Sequence, residues 1–413
     1  MMVMIQCIAW IFHLLRSRFG DKGFGYFPDE ILIDILSRLP ADAILQCRKA
    51  CRHWNTLTSS NHFIAVQNER APSVLMLQCH LSLHGSLHKR NYYVYDSLGK
   101  KLRKISLESS RFQLDGGIPC LYGACGPLLH IKHLRRTLVS YNGRYYAPKY
   151  EHNIVFNPIT RQLAPMKKGL NHYVSGIFFN ESRNEYNYLR AHHEKRGFRF
   201  RVYSLAASRA DEEEIACAPF LCRSYAFTNY PVTVGKVLYL MVIPAKRDDI
   251  RHYCIQSVLI FDTDSETFGI LPHPEFECRG VCRMGMYLFV HDGHLCLCRR
   301  NHKLGLLGIC VLEDHANWEW VQLAVISLPI PKGIRMWGVL GDFDFMIFSV
   351  GKDELLVSWF LLLFLVNLKD DTVTKIKTPY SNIYHYPRWV AYRSTLAAPR
   401  LVWDQTEPLS FTL

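Results

Sequence analysis

From Phe27 onward the apolar positions first follow a helical period. Ile31, Ile35 and Leu39 recur at i, i+4 and i+8, and Leu32 and Leu36 sit beside them and widen the stripe. Pro28 suits the first helical position, where a missing N–H costs nothing, and Asp29 and Glu30 place acids in the first turn, where they complement the helix dipole. Arg38 falls in the last turn, and Pro40 ends the helix. A second helix is expected from an N-cap at Asp42, with Ile44, Leu45 and the Cys47 to Cys51 stretch on its buried side. Trp54 and Leu57 anchor a third, followed by Phe63 and Ile64. Three such helices in about forty residues make a marginal fold alone. Large apolar residues on more than one face point to a partner surface.

After Asn68 the period shortens. Ser73 to Leu77 and Tyr92 to Tyr95 are short apolar or aromatic runs between Gly, Asp and Lys clusters, which predicts strands with frequent turns in a sandwich, barrel or propeller. A repeat favours the propeller. Asn142-Gly143 to Tyr146 precedes Ile154 to Thr160 and Leu163-Ala164-Pro165. Gly235 to Leu240 precedes Val258 to Thr263 and Ile270-Leu271-Pro272. Asp292-Gly293 to Leu297 precedes Ile309 to Asp314 and Ile326 to Pro329. A partial copy runs from Leu363 through Asp370-Asp371 to Pro379. Each copy reads as Gly turn, strand, strand, polar turn, strand, Pro, which is a blade-like unit. The expected fold class is therefore α+β and multidomain: a small three-helix unit at 27–68, then a mostly β, propeller-like domain at 70–400. Residues 401–413 are expected as a tail and 1–26 as a poorly ordered leader.

Composition fits this picture. The chain has 413 residues, 49% hydrophobic and 21% charged, which is globular usage. Aromatics reach 13%, in keeping with a β-rich body. Its 14 Cys are scattered, several within apolar runs such as Leu295-Cys296-Leu297-Cys298, as in intracellular proteins with reduced thiols. The nucleus or cytoplasm is the expected location. Val3 to Leu15 is an apolar run too short for a typical membrane span, without the basic start of a secretory signal. Leu355 to Val366 is a second apolar run and reads as a buried strand. No membrane partner is expected.

The formal charge is +13, and most of it is local: between Lys89 and Lys168 fifteen Lys and Arg face four acids. Lys100, Lys101, Arg103 and Lys104, with Arg135 and Arg136, would suit an acidic client or nucleic acid. Solvated loops between blades explain the same residues more simply.

The helical segment also carries a resemblance. Phe27-Pro28-Asp29-Glu30-Ile31-Leu32, Ile35-Leu36-Ser37-Arg38-Leu39-Pro40 and Cys51-Arg52-His53-Trp54 fall in the order and spacing of the F-box, a helical motif that binds the Skp1 adaptor of cullin-based ubiquitin ligases. The resemblance assigns the adaptor contact, or the fold beneath it, to Phe27, Pro28, Ile31, Ile35, Leu36, Leu39, Pro40 and Trp54. It implies a docking patch centred on Ile35, Leu36, Leu39 and Trp54, which Leu36→Asp with Trp54→Ala would abolish while the β body stays folded. Ala41, Ala50 and Thr58 stand where the family has larger apolar residues, a loss of apolar area expected to weaken docking. The β body resembles the kelch-like F-box-associated region of plant F-box proteins, through Phe156-Asn157-Pro158-Ile159-Thr160, Phe261 to Glu266 and Trp318-Glu319-Trp320. Asn184 to Tyr188 departs from that pattern.

The resemblance implies a non-catalytic substrate receptor: Skp1-like adaptor and cullin on one side, a client protein on the other, with no client-binding residue carried over. Nothing in the sequence demands a cofactor. His80, His84 and His88 would share a helix face, but the segment reads as strand. Cys120 and Cys125, Cys278 and Cys282, and Cys296 and Cys298 form no paired knuckles. No phosphate loop, dinucleotide fingerprint, nucleophile elbow or zinc-protease motif is present. The rival readings are a basic nucleic-acid-binding protein and an F-box-like protein acting outside ubiquitin ligases.

Overall fold

The computed structural model of the chain describes residues 28–39, 41–71, 73–81, 90–96, 99–108, 118–134, 151–160, 162–166, 172–195, 197–205, 214–225, 230–244, 257–272, 286–301, 305–329, 345–359, 362–378, 385–393, 395–396 and 410–412. The apolar run Val3 to Leu15, Phe27, Pro40, His84, His88 and the Arg135-Arg136 pair lie outside these residues.

Four helices come first: α1 (Asp29–Ser37), α2 (Ala41–Cys47), α3 (Arg52–Ser59) and α4 (Asn61–Arg70). The sequence reading gave three. The fourth starts because Ser60 takes an extended backbone and its Oγ accepts from the Phe63 N–H at 3.2 Å, an N-cap that ends α3 and opens α4. Two boundaries also move by a residue. Pro28 is the N-cap of α1 (φ −52°, ψ 144°), not its first helical residue, and its carbonyl accepts from Ile31 and Leu32. α2 begins at Ala41, one position ahead of the capping Asp expected at 42.

The rest is a six-bladed propeller. Blade 1 starts with β1 (Ser73–Leu81), β2 (Arg90–Asp96) and β3 (Lys101–Glu108). Blade 2 is β4 (Ile118–Cys125), β5 (Leu128–Leu134), β6 (Glu151–Asn157) and β7 (Gln162–Pro165). Blade 3 is β8 (His172–Asn180), β9 (Glu185–Glu194), β10 (Gly197–Ser204) and β11 (Glu214–Cys217). β12 (Cys222–Tyr225) then pairs with both β10 and β14, joining blades 3 and 4 into one sheet. Blade 4 is β13 (Val232–Val234), β14 (Val237–Pro244), β15 (Ser257–Asp262) and β16 (Thr267–Pro272). Blade 5 is β17 (Met286–His291), β18 (His294–Asn301), β19 (Leu306–Asp314) and β20 (Glu319–Ser327). Blade 6 is β21 (Phe345–Ser349), β22 (Glu354–Trp359), β23 (Leu362–Asn367) and β24 (Thr372–Ile376). β25 (His385–Arg393) closes the ring by pairing with β1 over its whole length, from Ser73↔Arg393 to Leu81↔His385.

The described parts of the repeated sequence units map onto blades 2, 4, 5 and 6, and the copies at Gly235, Asp292 and Leu363 each begin inside a blade; Asn142 to Tyr146 lies outside the described residues. Their polar turns share one mechanism. At the hairpin from third to fourth strand, an Asx side chain accepts from the backbone N–H groups two and three residues on. Asn157 holds Ile159 and Thr160, Asp262 holds Asp264 and Ser265, Asp314 holds Ala316 and Asn317, and Asn367 holds Lys369 and Asp370. The hairpins of blades 4, 5 and 6 then pass through a left-handed residue, at Glu266, Trp318 and Asp371.

Two sequence expectations need correcting. The run Leu355 to Val366 is not one strand but two paired ones, β22 and β23, with Leu355 opposite Val366; its apolar residues are largely buried because each strand is sandwiched between neighbouring blades. The segment read as a tail at 401–413 ends in β26 (Ser410–Thr412), which pairs with β3 and covers the outer edge of blade 1.

The inner strands of blades 2 and 3 carry matching irregularities. The β4–β5 register shifts between Leu121 and Gly123, and the β8–β9 register shifts between Val174 and Gly176. Tyr230 and Pro231 fill the notch: a Cβ on Gly123 would stand 1.9 Å from the Tyr230 ring, and one on Gly176 2.2 Å from Pro231. The Tyr230 hydroxyl accepts from the Ile177 N–H at 2.8 Å. Gly123→Ala is expected to cost about 1–3 kcal/mol by overpacking. Chemical denaturation would measure it, and Gly123→Ala with Tyr230→Ala should not lose that steric increment a second time.

Candidate adaptor-docking surface

Helix α1 presents two apolar rows, about 100° apart around its axis. Leu32 (5% exposed) and Leu36 (2%) face inward, whereas Ile31 (46%) and Ile35 (52%) stand in solvent one turn apart. The inward row joins a core of Ala41, Ile44, Cys47, Trp54, Leu57 and Phe63. That core continues into the propeller through Ile159, on the Asn157 turn of blade 2, and Leu396, just past β25. A buried bond repeats the link, with the Leu396 N–H donating to Gln67 Oε1 at 3.1 Å. The helices therefore do not stand alone: the propeller completes their core.

Polar ties fix the helices against one another. Arg70 of α4 donates to Asp34 Oδ1 and to Ser37 Oγ of α1, both at 2.8 Å, and Arg38 grips both Asp34 oxygens at 3.0 Å. These guanidinium bonds, Arg38 first, hold the Asp34 carboxyl below its ordinary pKa. His53 meets Asp29 at 3.0 Å, and Arg48 donates to the Thr58 carbonyl at 2.8 Å. The outcome is a fixed helical platform with Ile31 and Ile35 on its open side, rimmed by Glu30, Asp34 and Arg38.

The residues assigned to docking from sequence thus divide. Pro28, Ile31 and Ile35 are exposed; Leu39 is half-buried against the helical core; Leu36 and Trp54 are inside it. Leu36 and Trp54 therefore hold the platform together, and the variant expected to test docking, Leu36→Asp with Trp54→Ala, would break the fold instead. The substituted family positions divide in the same way. Ala41 and Thr58 are fully buried, and the Thr58 hydroxyl donates to the Trp54 carbonyl at 2.7 Å. Of the three, Ala50 alone is exposed, so little docking area is lost there.

Topology fixes which side of the propeller carries the platform. In each blade the connections between first and second strands and between third and fourth strands leave from one end. Ile159 and Leu396 mark that end, and the Gly126 carbonyl between β4 and β5 binds the Arg393 N–H there at 2.8 Å. These connections are tight hairpins, with residues 205–213 the exception. The longer ones leave from the opposite end: residues 82–89, 109–117, 135–150, 245–256, 273–285 and 328–344.

Candidate chemistry elsewhere resolves into structure. His80 lies on β1, and the described residues contain no cluster that could hold a metal. Lys100 pairs with Glu354 of blade 6 at 2.8 Å, and the buried Lys132 sets its ammonium 3.4 Å from the Tyr122 ring centre. Lys101, Arg103 and Lys104 are exposed on β3. Burial raises the thiols of Cys79, Cys125, Cys222 and Cys296 to about 12 and that of Cys310 to about 11, so they keep their protons at neutral pH. Alkylation of the native protein followed by peptide mapping should label the exposed Cys51 and Cys217 and spare those five until denaturant is added. Rapid native labelling of Cys296 would contradict the packing of β18.

Comparison with known proteins agrees with this geometry. Residues 129–381 match the model of the F-box associated beta propeller domain, and residues 24–64 match an F-box-like model. F-box protein At3g07870 of Arabidopsis thaliana is 22% identical over 76% of this chain and 75% of its own length. F-box/LRR-repeat protein At2g43260 of the same plant is 32% identical over 35% of this chain and 28% of its own length. Among solved structures, a 6-phosphogluconolactonase-like protein of Bacteroides uniformis covers 73% of this chain and 95% of its own, at 12% identity and a TM-score of 0.40.

Proposed function

Because the chain belongs to the F-box proteins that carry an F-box-associated β-propeller, we propose that it is a substrate receptor of a Skp1–cullin–F-box ubiquitin ligase. The observation that carries the reading is the exposed Ile31–Ile35 pair, presented on a helix whose other side is locked into the propeller. A Skp1-type adaptor covers that pair, and through the adaptor a cullin is recruited. Two aliphatic side chains at the centre of a desolvated patch suit an anchor, with the charged rim fixing orientation more than affinity.

The client binds at the opposite end of the propeller, where the longer connections leave. The receptor then works by geometry. It holds a client near a ubiquitin-loaded enzyme and raises its effective concentration, while the transfer chemistry belongs to other subunits. The protein acts in the nucleus or cytoplasm, where such ligases work.

The test is a comparison in cells with proteasomal degradation blocked. Proteins captured with the intact chain should carry ubiquitin, and should lose it when Ile31 and Ile35 are both changed to Asp although capture persists. Equal ubiquitination with both chains would favour a role outside ubiquitin ligases.

A further inference from the structure

Blade 5 buries an arginine against blade 6. Side chains alternate along β18, so Cys296, Cys298 and Arg300 share the side that packs on blade 6, where Cys296 and Cys298 join the core of Phe345 and Trp359. Arg300 is 7% exposed, and its guanidinium carbon stands 5.5 Å from the ring centre of Tyr287, 5.3 Å from Phe345 and 5.4 Å from Trp359. Nε is buried without a hydrogen-bond partner, and no hydrogen bond or ion pair joins Arg300 to another residue among those described. Cys298 is no counter-ion, because burial raises its thiol and keeps it protonated. Arginine does not shed its proton to escape such a site. Ring faces offset part of the cost of burying the charge, but they offer no acceptor for the five N–H groups. The place matters as much as the charge. Tyr287 and Phe345 lie at the starts of β17 and β21, and Arg300 and Trp359 at the ends of β18 and β22. All four strand ends are on the side from which residues 273–285 and 328–344 leave, opposite the helical platform.

We propose that Arg300, walled by Tyr287, Phe345 and Trp359, is a carboxylate-binding site that receives an acidic group of the client protein. A guanidinium fork matches a carboxylate with two parallel N–H···O bonds, and such a pair gains strength where water is scarce. The aromatic walls favour a carboxylate whose neighbouring atoms are apolar. An Asp or Glu side chain and a free chain terminus present the same chemistry. The net charge of +13 draws acidic segments toward the chain before this contact forms. The proposal rests on the receptor reading, which puts the client at this end of the propeller.

The first probe is benzoate, a carboxylate on an apolar ring, titrated calorimetrically into the full chain at constant ionic strength, with benzamide as the neutral control. Benzoate should bind in the millimolar range and raise the melting temperature, and benzamide should do neither. Arg300→Met should weaken benzoate binding at least about 10-fold. It should melt no lower than the parent, because replacing an uncompensated buried charge by an apolar side chain of similar volume is neutral or stabilising. Arg300→Lys keeps the charge without the fork and should bind benzoate with intermediate affinity. The second probe is a random peptide library displayed to the full chain. Enriched peptides should share an Asp or Glu at one position, or require a free C-terminus, and should lose at least about 10-fold in affinity on Arg300→Met. Changing the acid to its amide, or amidating the terminus, tells the two sources apart. The proposal is overturned if benzoate does not bind the parent, if Arg300→Met binds benzoate or the selected peptides as well as the parent does, or if Arg300→Met melts clearly lower, as it would were a carboxylate of this chain already on the guanidinium. Benzoate reads the site without any client, and adaptor docking is read through Ile31 and Ile35, so failure here and failure of the receptor reading are distinct results.

Discussion

Changing Ile31 and Ile35 together to Asp is expected to lower adaptor affinity by at least about 100-fold while leaving the fold intact. Central interface anchors commonly cost about 2 kcal/mol or more when truncated. An unpaired carboxylate pressed into an apolar partner surface adds a desolvation penalty to that loss. Nothing comparable happens in the free chain, because both side chains are about half exposed and the buried row of α1 is untouched. The double variant should therefore melt with the parent by circular dichroism and fail to bind by calorimetry. Leu36→Asp is the control with the opposite pattern. It puts a charge into the core shared with Trp54 and Ile159, and it should lose stability and binding together. If Ile31→Asp/Ile35→Asp binds as tightly as the parent, the adaptor does not use this side of α1.

Removing residues 385–413 should abolish cooperative folding. This deletion strips β25 from β1 along all of its register and takes away Trp389, Val390 and Tyr392, each 2–3% exposed. Losing one large buried side chain costs about 2–5 kcal/mol. Three of them, together with a row of ring-closing hydrogen bonds, match the whole stability of an ordinary domain, about 5–15 kcal/mol. The helical platform suffers too, because Leu396 belongs to its core and bonds Gln67. The truncated chain should aggregate or show no thermal transition. A truncated chain that melts like the full one would mean that β25 does not close the ring.

That second result concerns a part of the fold the sequence hid. Pairing Ser73 with Arg393 spans most of the chain, and nothing local to either strand announces it. The blades that were legible are those whose turn carries an Asx cap, at Asn157, Asp262, Asp314 and Asn367. The constraint there lies within three residues and leaves a mark in the sequence. Blade 3 produced no copy of the repeat, although Asn180 caps its first hairpin in the same way through the Arg183 N–H.

The docking helix was legible as a helix, and its residues as a set, but not the side on which each works. Apolar spacing marks Ile31, Leu32, Ile35 and Leu36 alike, because a wide stripe serves a core and a partner equally well. What separates them is the position of Trp54 and Phe63 on other helices and of Ile159 on the propeller, all of which claim the Leu32–Leu36 side. Thr58 shows the same limit. In sequence it is a lost aliphatic group, while in the fold it is a buried hydroxyl bonded to the Trp54 carbonyl and gripped by Arg48.

The most direct measurement is co-purification of the full chain with a purified Skp1-type adaptor, at low and at high salt. Docking through Ile31 and Ile35 predicts a one-to-one complex at both, since an apolar contact outlasts screening. No complex at either salt, or one that dissolves as salt rises in the manner of a basic protein on an anionic partner, would contradict the receptor reading.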